Sequence, residues 1–454
     1  MHMPREELEK IIAKCQADLK KNPRNFAARH DLGVAFLELR DFDAAIENLG
    51  AATQVDPRNP GAWYLLGIAH AEKLDLDKAI DLWKQTVKLN PRHAGAHHFL
   101  GKVYALKGML DAAVFHLRKN VEIQPEPRYP LGHIYLGEVY LAKGERDKAA
   151  EAWQEALRID PANGRLRANL GGAYLDSRDY PKAIEQCMRA IEAGEDTPTV
   201  HYNLGLAFLG LRRLPEAAKE LERCAELEPG DPRTYVNLGE AYALQGETDK
   251  ARSAWEKSLE LDPKQTDAIF DLGVLLADTG DLDGAMSRWQ QALQVDPEYK
   301  RALVNLGAVK IMREDFDGAL ADWQRVAELD PASADIHVQL GQLRFRRGEL
   351  ALALAKAEQA SALDPASGRP KLLAGAVKLR EGDYKEAAAS WHAALQLDPN
   401  AALGDSGFIR TALSQEEIGK LAEHARRSRD KAATDAVNTV KSVRSLSSDK
   451  APRR

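Results

Sequence analysis

Small and hydrophobic residues recur along this chain with a period of 34 residues. Within one period, Leu66, Gly67 and His70 have the spacing of one face of a helix, and Ala79 and Trp83 form the face of a second helix. The glycine of a Leu-Gly or Ala-Gly pair marks every period: Gly33, Gly67, Gly101, Gly137, Gly171, Gly205, Gly239, Gly273, Gly307, Gly341 and Gly375. The pattern predicts one helix–turn–helix unit stacked on copies of itself.

Counting each repeat from the residue seven before its glycine gives eleven repeats over residues 26–401, and positions below are numbered within the repeat. The repeats begin at residues 26, 60, 94, 130, 164, 198, 232, 266, 300, 334 and 368. Residues 128–129 are an insertion between the third and fourth repeats. Small residues at positions eight and twenty indicate that the two helix axes approach closest there. Nearly every repeat closes on a proline, which ends its second helix.

These residues resemble the tetratricopeptide repeat (TPR) family, whose pattern is tryptophan, leucine-glycine, tyrosine, alanine, an aromatic residue and proline. The resemblance covers residues 26–401. It implies an all-α TPR solenoid, a right-handed superhelix of antiparallel helix pairs whose first helices line the concave face. It says little about function, because function depends on surface residues outside the stacking signature.

The ends of the chain are predicted to cap the repeats. Residues 1–25 match a lone second helix, and residues 402–429 contain a helix that opens with a capping box at Ser414 to Glu417. Residues 430–454 are expected to form a disordered basic tail. The tail either solubilises the protein or docks on its own groove or an acidic partner; Ala433, Val437, Val440 and Val443 would form one apolar stripe if it became helical.

The charge distribution excludes one class of partner. The formal net charge is −6, whereas the segment 426–454 carries +6, so the remaining chain carries about −12. A body of this sign repels nucleic acid, and we expect no nucleic-acid partner. We also expect no membrane insertion, no signal peptide and a cytoplasmic protein, in which Cys15, Cys187 and Cys224 stay reduced.

We expect no enzymatic activity and no cofactor, because no phosphate loop, nucleophile elbow or paired-histidine zinc motif occurs at its required spacing. Six of the twelve histidines lie within 64 residues: His70, His93, His97, His98, His116 and His133. They could converge on a metal. However, His70 occupies the position of a tyrosine, and His97 and His133 occupy that of Trp63. We therefore interpret them as structural and predict no metal site.

Position six carries a run of amide or acid side chains through six consecutive repeats: Asn169, Asn203, Asn237, Asp271, Asn305 and Gln339. A carboxamide both donates and accepts, so such a run can pair with a peptide backbone of any sequence. It resembles the asparagine ladder in the TPR superhelix of O-GlcNAc transferases, which implies a peptide-gripping role without the catalytic domain. Alternatively, each amide bonds a neighbouring helix.

Position two alternates in charge, and arginine recurs there at Arg165, Arg233 and Arg301. These arginines could hold carboxylates of an acidic ligand, or pair with intervening aspartates such as Asp267. In the earlier repeats, Tyr64, Phe99 and Tyr135 form a predicted aromatic patch for a partner's apolar anchor. The N-terminal segment could instead cover that patch.

The leading hypothesis is a non-catalytic scaffold or adapter that binds extended, partly acidic segments of other proteins in the groove. Asn169, Asn203, Asn237, Asn305, Arg165, Arg233 and Arg301 would contact the peptide, with Tyr64, Phe99 and Tyr135 as a second site. The alternative is a structural subunit that self-associates through its convex surface and tail.

Overall fold

In the computed structural model, which describes residues 4–123 and 130–445, helices are the regular secondary structure and the described ranges contain no strand. The predicted all-α class is therefore confirmed. The chain divides into two compact units, Met1–Glu247 and Thr248–Arg454. The insertion predicted at residues 128–129 lies outside the described residues.

The first unit contains fourteen described helices. Their bounds are α1 (Arg5–Lys21), α2 (Phe26–Glu38), α3 (Phe42–Val55), α4 (Pro60–Glu72), α5 (Leu76–Leu89), α6 (Ala94–Leu106), α7 (Leu110–Ile123), α8 (Leu131–Ala142), α9 (Arg146–Ile159), α10 (Gly164–Asp176), α11 (Tyr180–Glu192), α12 (Pro198–Gly210), α13 (Leu214–Leu227) and α14 (Pro232–Gln245).

The second unit contains thirteen described helices. Their bounds are α15 (Thr248–Leu261), α16 (Thr266–Asp278), α17 (Leu282–Val295), α18 (Lys300–Met312), α19 (Phe316–Leu329), α20 (Ala334–Arg346), α21 (Leu350–Leu363), α22 (Arg369–Glu381), α23 (Tyr384–Leu397), α24 (Ala401–Gly404), α25 (Ser406–Ala412), α26 (Gln415–Arg427) and α27 (Lys431–Ser445).

In nine of the eleven repeats, the glycine at position eight is required by packing against the second-helix side chain at position 24. A Cβ atom on Gly67 would lie 2.4 Å from Nε1 of Trp83, and one on Gly171 would lie 2.4 Å from Sγ of Cys187. Real Cβ atoms essentially never approach a neighbour so closely. The second-helix side chain at position 24 therefore lies directly against the first-helix backbone, which is possible only where no side chain intervenes.

The turn between the two helices takes the same left-handed conformation in all eleven repeats. Position fifteen has positive φ at Arg40, Leu74, Gly108, Gly144, Arg178, Arg212, Gly246, Gly280, Glu314, Gly348 and Gly382. This conformation ends the first helix and reverses the chain direction. Glycine adopts it without strain, whereas Leu74, at φ +62°, does not.

The N-terminal helix α1 packs on α2 and buries Leu8 and Cys15. Cys187 and Cys224 are also buried, and all three cysteines are free thiols. Burial raises the pKa of the Cys187 thiol to about 12, which keeps it protonated at neutral pH.

The prediction of a disordered tail is wrong for residues 431–445, which form helix α27 packed on α23 and α26. Ala436, Val437, Val440 and Val443 are buried there. Valines make this segment a poor isolated helix, so burial of its apolar stripe supplies the stability that propensity lacks. Residues 446–454 lie outside the described part of the chain. The predicted capping box at Ser414 and Glu417 is present at the start of α26.

Candidate binding surface

The candidate surface is formed by positions two, five, six, nine, twelve and thirteen of the first helices, which we call the first-helix face. In the first unit, α10 contacts α12, and a cavity of about 340 Å³ opens between α8, α10 and α12. Its lining includes Glu138, Asn169, Gly172, Asp176 and Asn203. These residues come from positions six, nine and thirteen of successive repeats, so local repeat geometry brings them together.

Two carboxamides at this cavity have no hydrogen-bond partner in the described part of the chain. The side chains of Asn169 and Asn203 are half-buried, and neither makes a hydrogen bond to another described residue. In the second unit, Asn305 in α18 is also half-buried and makes no side-chain hydrogen bond among the described residues. All three amides can therefore accept and donate toward a ligand.

Asn237 behaves differently from the other asparagines at position six. Its Nδ2 donates to the Tyr202 hydroxyl over 3.0 Å and to the main-chain carbonyl of Arg233 over 2.9 Å. For Asn237 the structure therefore shows the alternative prediction, in which the amide bonds groups of this chain rather than a ligand. The sequence signal is the same at Asn203 and Asn237, and the difference comes from Tyr202 at position five of the preceding repeat.

The three candidate arginines also differ. Arg233 pairs with Asp231 over 2.8 Å, and Arg301 pairs with Asp267 over 3.4 Å and with Asp271 over 3.2 Å. For Arg301 the structure thus shows the internal pairing with Asp267. Arg165 is exposed and makes no ion pair or hydrogen bond with another described residue. Of the three, it alone is free for a ligand carboxylate.

The aromatic patch predicted at Tyr64, Phe99 and Tyr135 forms one continuous row in the first unit. The ring centroids of Tyr64 and Phe99 lie 6.0 Å apart, and His98 contacts Phe99 at 5.4 Å and Tyr135 at 5.3 Å. All four side chains are half-buried. Helix α1, which was expected as a possible cover, packs on α2.

The histidine cluster makes hydrogen bonds within the fold. Nδ1 of His97 lies 3.0 Å from Nδ1 of His116, and Nε2 of His97 lies 3.1 Å from the carbonyl oxygen of Pro91. The carbonyl requires a donor at Nε2, so a neutral His97 accepts at Nδ1 and His116 donates. Across the described residues, no group of three or more His, Cys, Asp or Glu side chains is placed to hold a metal ion.

Position four has a structural role that the sequence reasoning missed. In five repeats its side chain donates to the carbonyl oxygen of the proline six residues earlier, although the residue type differs among them. The pairs are Trp63–Pro57, His97–Pro91, Arg167–Pro161, Tyr235–Pro229 and His337–Pro331. The signal in the sequence is the presence of an N–H or O–H donor at position four of each of these repeats.

In the second unit, part of the first-helix face is covered by the chain itself. Nε of Arg369 donates to Asp405 over 2.8 Å, and Nη2 of Arg346 donates to the Thr411 hydroxyl over 2.7 Å. Phe408 contacts Phe345 at a centroid distance of 5.4 Å. Residues 405–411 therefore contact the side chains at position two of the eleventh repeat and at positions twelve and thirteen of the tenth repeat. Docking on the groove was one predicted alternative for residues 430–454. The segment that contacts this face is instead residues 405–411.

Models of a known protein family match this chain. A tetratricopeptide repeat model matches residues 30–83, 136–198, 202–268 and 312–368, which make up more than half of the chain. The chain belongs to the tetratricopeptide repeat family. A second tetratricopeptide repeat model matches residues 94–127. TPR repeats are protein-interaction modules, so membership supports a role as a protein-interaction scaffold.

Solved structures of other TPR proteins are similar to this chain. Yeast Tom70 is 17% identical with a TM-score of 0.45, over 92% of this chain and 99% of that one. PilF of Pseudomonas aeruginosa is 23% identical with a TM-score of 0.39, over 46% of this chain and 94% of that one. YrrB, described as a TPR protein with an unusual peptide-binding site, is 24% identical with a TM-score of 0.37, over 41% and 95%.

The search of curated proteins found no match to this chain. In the described ranges, no helix combines the length and the apolar character needed to cross a membrane.

Proposed function

We propose that this protein is a non-catalytic scaffold that binds an extended peptide segment of a partner protein on the first-helix face of α8, α10 and α12. The observation that carries the proposal is the pair of unpartnered carboxamides, Asn169 and Asn203, at one cavity of that face. An extended backbone presents alternating N–H and C=O groups, and a carboxamide satisfies either one.

Charge on this face gives the peptide a direction. Arg165 and Glu138 are both exposed and without a partner among the described residues, and they lie on α10 and α8 respectively. A peptide carboxylate therefore suits the Arg165 end, and a basic side chain suits Glu138. The ligand is partly acidic at one end rather than acidic throughout, since Arg233 and Arg301 already hold carboxylates of this chain.

The experiment is affinity measurement by fluorescence polarisation with 12-residue peptides selected from a random display library. Replacing Asn169 and Asn203 together by alanine should weaken binding about 5- to 100-fold, since each net hydrogen bond contributes about 0.5–1.5 kcal/mol. Asn438→Ala, at an exposed position of α27, is the matched control and should bind as wild type. An affinity within about twofold of wild type for the double variant would assign these amides no ligand role.

The row of Tyr64, Phe99 and Tyr135 is proposed as a second site for an apolar anchor of the partner. Its rings are half-buried and continuous through His98, so an incoming side chain gains contact without opening the core. Tyr135→Ala should weaken any selected peptide that carries a fixed aromatic or aliphatic residue at one end. Peptides without that residue should be unaffected by the substitution.

Self-association is a second candidate function, and Phe115 favours it. Position 22 is charged or small in the other repeats, but Phe115 stands there in α7 with 56% of its surface exposed. Exposed aromatic side chains are typical of interfaces. Light scattering over a hundredfold range of concentration tests this candidate: Phe115→Ser should shift the oligomer to monomer, and a wild-type protein that is monomeric throughout would contradict it.

A further inference from the structure

Gly172 lines the cavity on the first-helix face of α8, α10 and α12. It occupies position nine of its repeat, where no other repeat has glycine. The other residues at position nine are Val34, Ile68, Lys102, Glu138, Leu206, Glu240, Val274, Ala308, Gln342 and Ala376. Their variety shows that the position accepts side chains from alanine to lysine in size.

Packing does not require a glycine at position 172. A Cβ atom there would meet only Nδ2 of Asn203, at 3.4 Å, which is an ordinary van der Waals distance. At the neighbouring Gly171, a Cβ atom would lie 2.4 Å from the Cys187 sulfur, so that glycine is structural. A glycine inside a helix is less favourable than alanine, because it loses more conformational freedom on folding. Gly172 therefore weakens helix α10 although packing does not require a glycine there. The absence of a side chain at this position leaves the cavity open.

The cavity has the chemistry of a side-chain pocket beside a backbone site. Its apolar lining consists of Leu141, Trp153, Ala168, Ala173 and Leu175. Its volume of about 340 Å³ lies at the small end of ligand pockets, which span about 300–1,000 Å³.

The polar groups in the cavity lining can bind the peptide backbone next to such a side chain. Asn169 and Asn203 line the same cavity, and Nδ2 of Asn203 is the atom nearest to the vacant Cβ position of Gly172. Glu138, also in the lining, has no partner among the described residues, whereas Asp176 pairs with Arg146 over 3.3 Å.

We propose that this pocket takes one aliphatic side chain of a partner's extended segment, with a lysine or arginine next to it facing Glu138. The inference rests on the proposed function and adds a sequence preference to a face that otherwise binds backbone. The partner segment is the occupant favoured here, because two lining carboxamides without a hydrogen bond to another described residue match a peptide main chain, and the exposed Glu138 matches a basic neighbour. The chain's own residues 405–411 are engaged on α20 and α22.

The test uses a random 12-residue peptide display library selected on the full-length protein. We expect the enriched peptides to share one Leu, Ile, Val or Met with a Lys or Arg beside it. Gly172→Leu should fill the pocket and weaken these peptides at least tenfold, while Gly172→Ala should have a smaller effect. Gly50→Leu is the matched control, because a Cβ atom at Gly50 would meet no atom within 4 Å and α3 does not line the cavity.

A double-mutant cycle localises the contact. Replacing the shared aliphatic residue of the peptide by alanine should weaken binding to wild type about tenfold and to Gly172→Leu by much less. Thermal unfolding followed by circular dichroism verifies folding, and both Gly172 variants should unfold at or above the wild-type temperature, since glycine is a poor helix former.

The outcomes separate the pocket from the proposed function. If Asn169→Ala with Asn203→Ala weakens the peptides and Gly172→Leu does not, the pocket is overturned and the peptide-binding face stands. Equal binding by all variants overturns both, as does a selection that yields no binding peptide. Enriched peptides without a shared aliphatic residue overturn the pocket, whichever variants weaken them.

Discussion

The indole nitrogen of Trp83 donates a hydrogen bond to the main-chain carbonyl oxygen of Tyr64, 3.1 Å away. The same bond spans nineteen residues in four other repeats, at Trp153–Ile134, Trp289–Phe270, Trp323–Val304 and Trp391–Leu372. Each bond fixes the second helix of a repeat to the backbone of position five, whose side chain belongs to the first-helix face. The tryptophans of the core thus hold the first-helix face in place.

Gly67→Ala should lower the free energy of unfolding by about 1–3 kcal/mol, because the new methyl group would overlap the Trp83 ring. Gly50→Ala is the matched control, since it adds the same methyl group to helix α3 where no atom lies within 4 Å. The control should be neutral or stabilising by up to about 1 kcal/mol. Urea unfolding measures both, and equal stability of the two variants would contradict this packing role.

Acid should weaken the first unit through His116. Burial, followed by the charges of His97 and Lys84, lowers the pKa of His116 from 6.5 to about 4. The unfolded chain therefore binds a proton near pH 6.5, while the folded chain binds it only near pH 4, so stability is full above pH 6.5 and decreases as the pH falls toward 4.

His116→Gln removes this titration while keeping an N–H donor for His97, and glutamine is the natural residue at the equivalent Gln186. Thermal unfolding between pH 7 and pH 4.5 should show a smaller loss of stability in this variant than in wild type. His392→Gln, which lies outside this histidine contact, should keep the wild-type slope. A variant slope as steep as wild type would show that His116 does not contribute.

Helix α27 should be needed for the stability of the second unit. Val440→Asp places a carboxylate at a fully buried position, whereas Asn438→Asp places the same group at an exposed position of the same helix. We expect the first to lower stability by several kcal/mol and the second to change it by less than about 0.5 kcal/mol. Guanidinium unfolding measures both stabilities. A neutral effect of Val440→Asp would contradict the packing of residues 431–445 and support the disordered tail that the sequence predicted.

Lys310 and Asp322 should act as a unit. Lys310 occupies the tyrosine position of its repeat, and its Nζ lies 2.6 Å from Oδ2 of Asp322, with both side chains largely buried. Burial raises the pKa of the Asp322 carboxyl group, and the hydrogen bond and positive charge of Lys310 oppose that rise. Asp322 therefore depends on the lysine to stay ionised. Lys310→Met or Asp322→Leu alone should destabilise by about 1–3 kcal/mol, and the double variant should be closer to wild type. Additive losses would show that the two side chains do not interact.

The sequence by itself determined the family, the helix pairs and the repeat register. A 34-residue period leaves one solution for a chain that must bury a stripe on every helix, and Gly67 and Ala79 mark the close helix contact in one repeat. The capping box at Ser414 could also be predicted from the sequence, because it depends only on residues three positions apart.

The tertiary structure decided which surface residues remain available. Asn203 and Asn237 have the same place in the repeat, yet only Asn237 follows a repeat with a tyrosine at position five. Tyr202 accepts a hydrogen bond from Asn237, whereas Ala168 stands at that position before Asn203. Likewise, the valines of α27 give a weak local helix signal, and their burial against α23 and α26 makes the helix stable. The repeat period and the helix caps depend on residues close together in the sequence. Hydrogen bonds and apolar contacts between different helices depend on side chains that meet only after the helices have stacked.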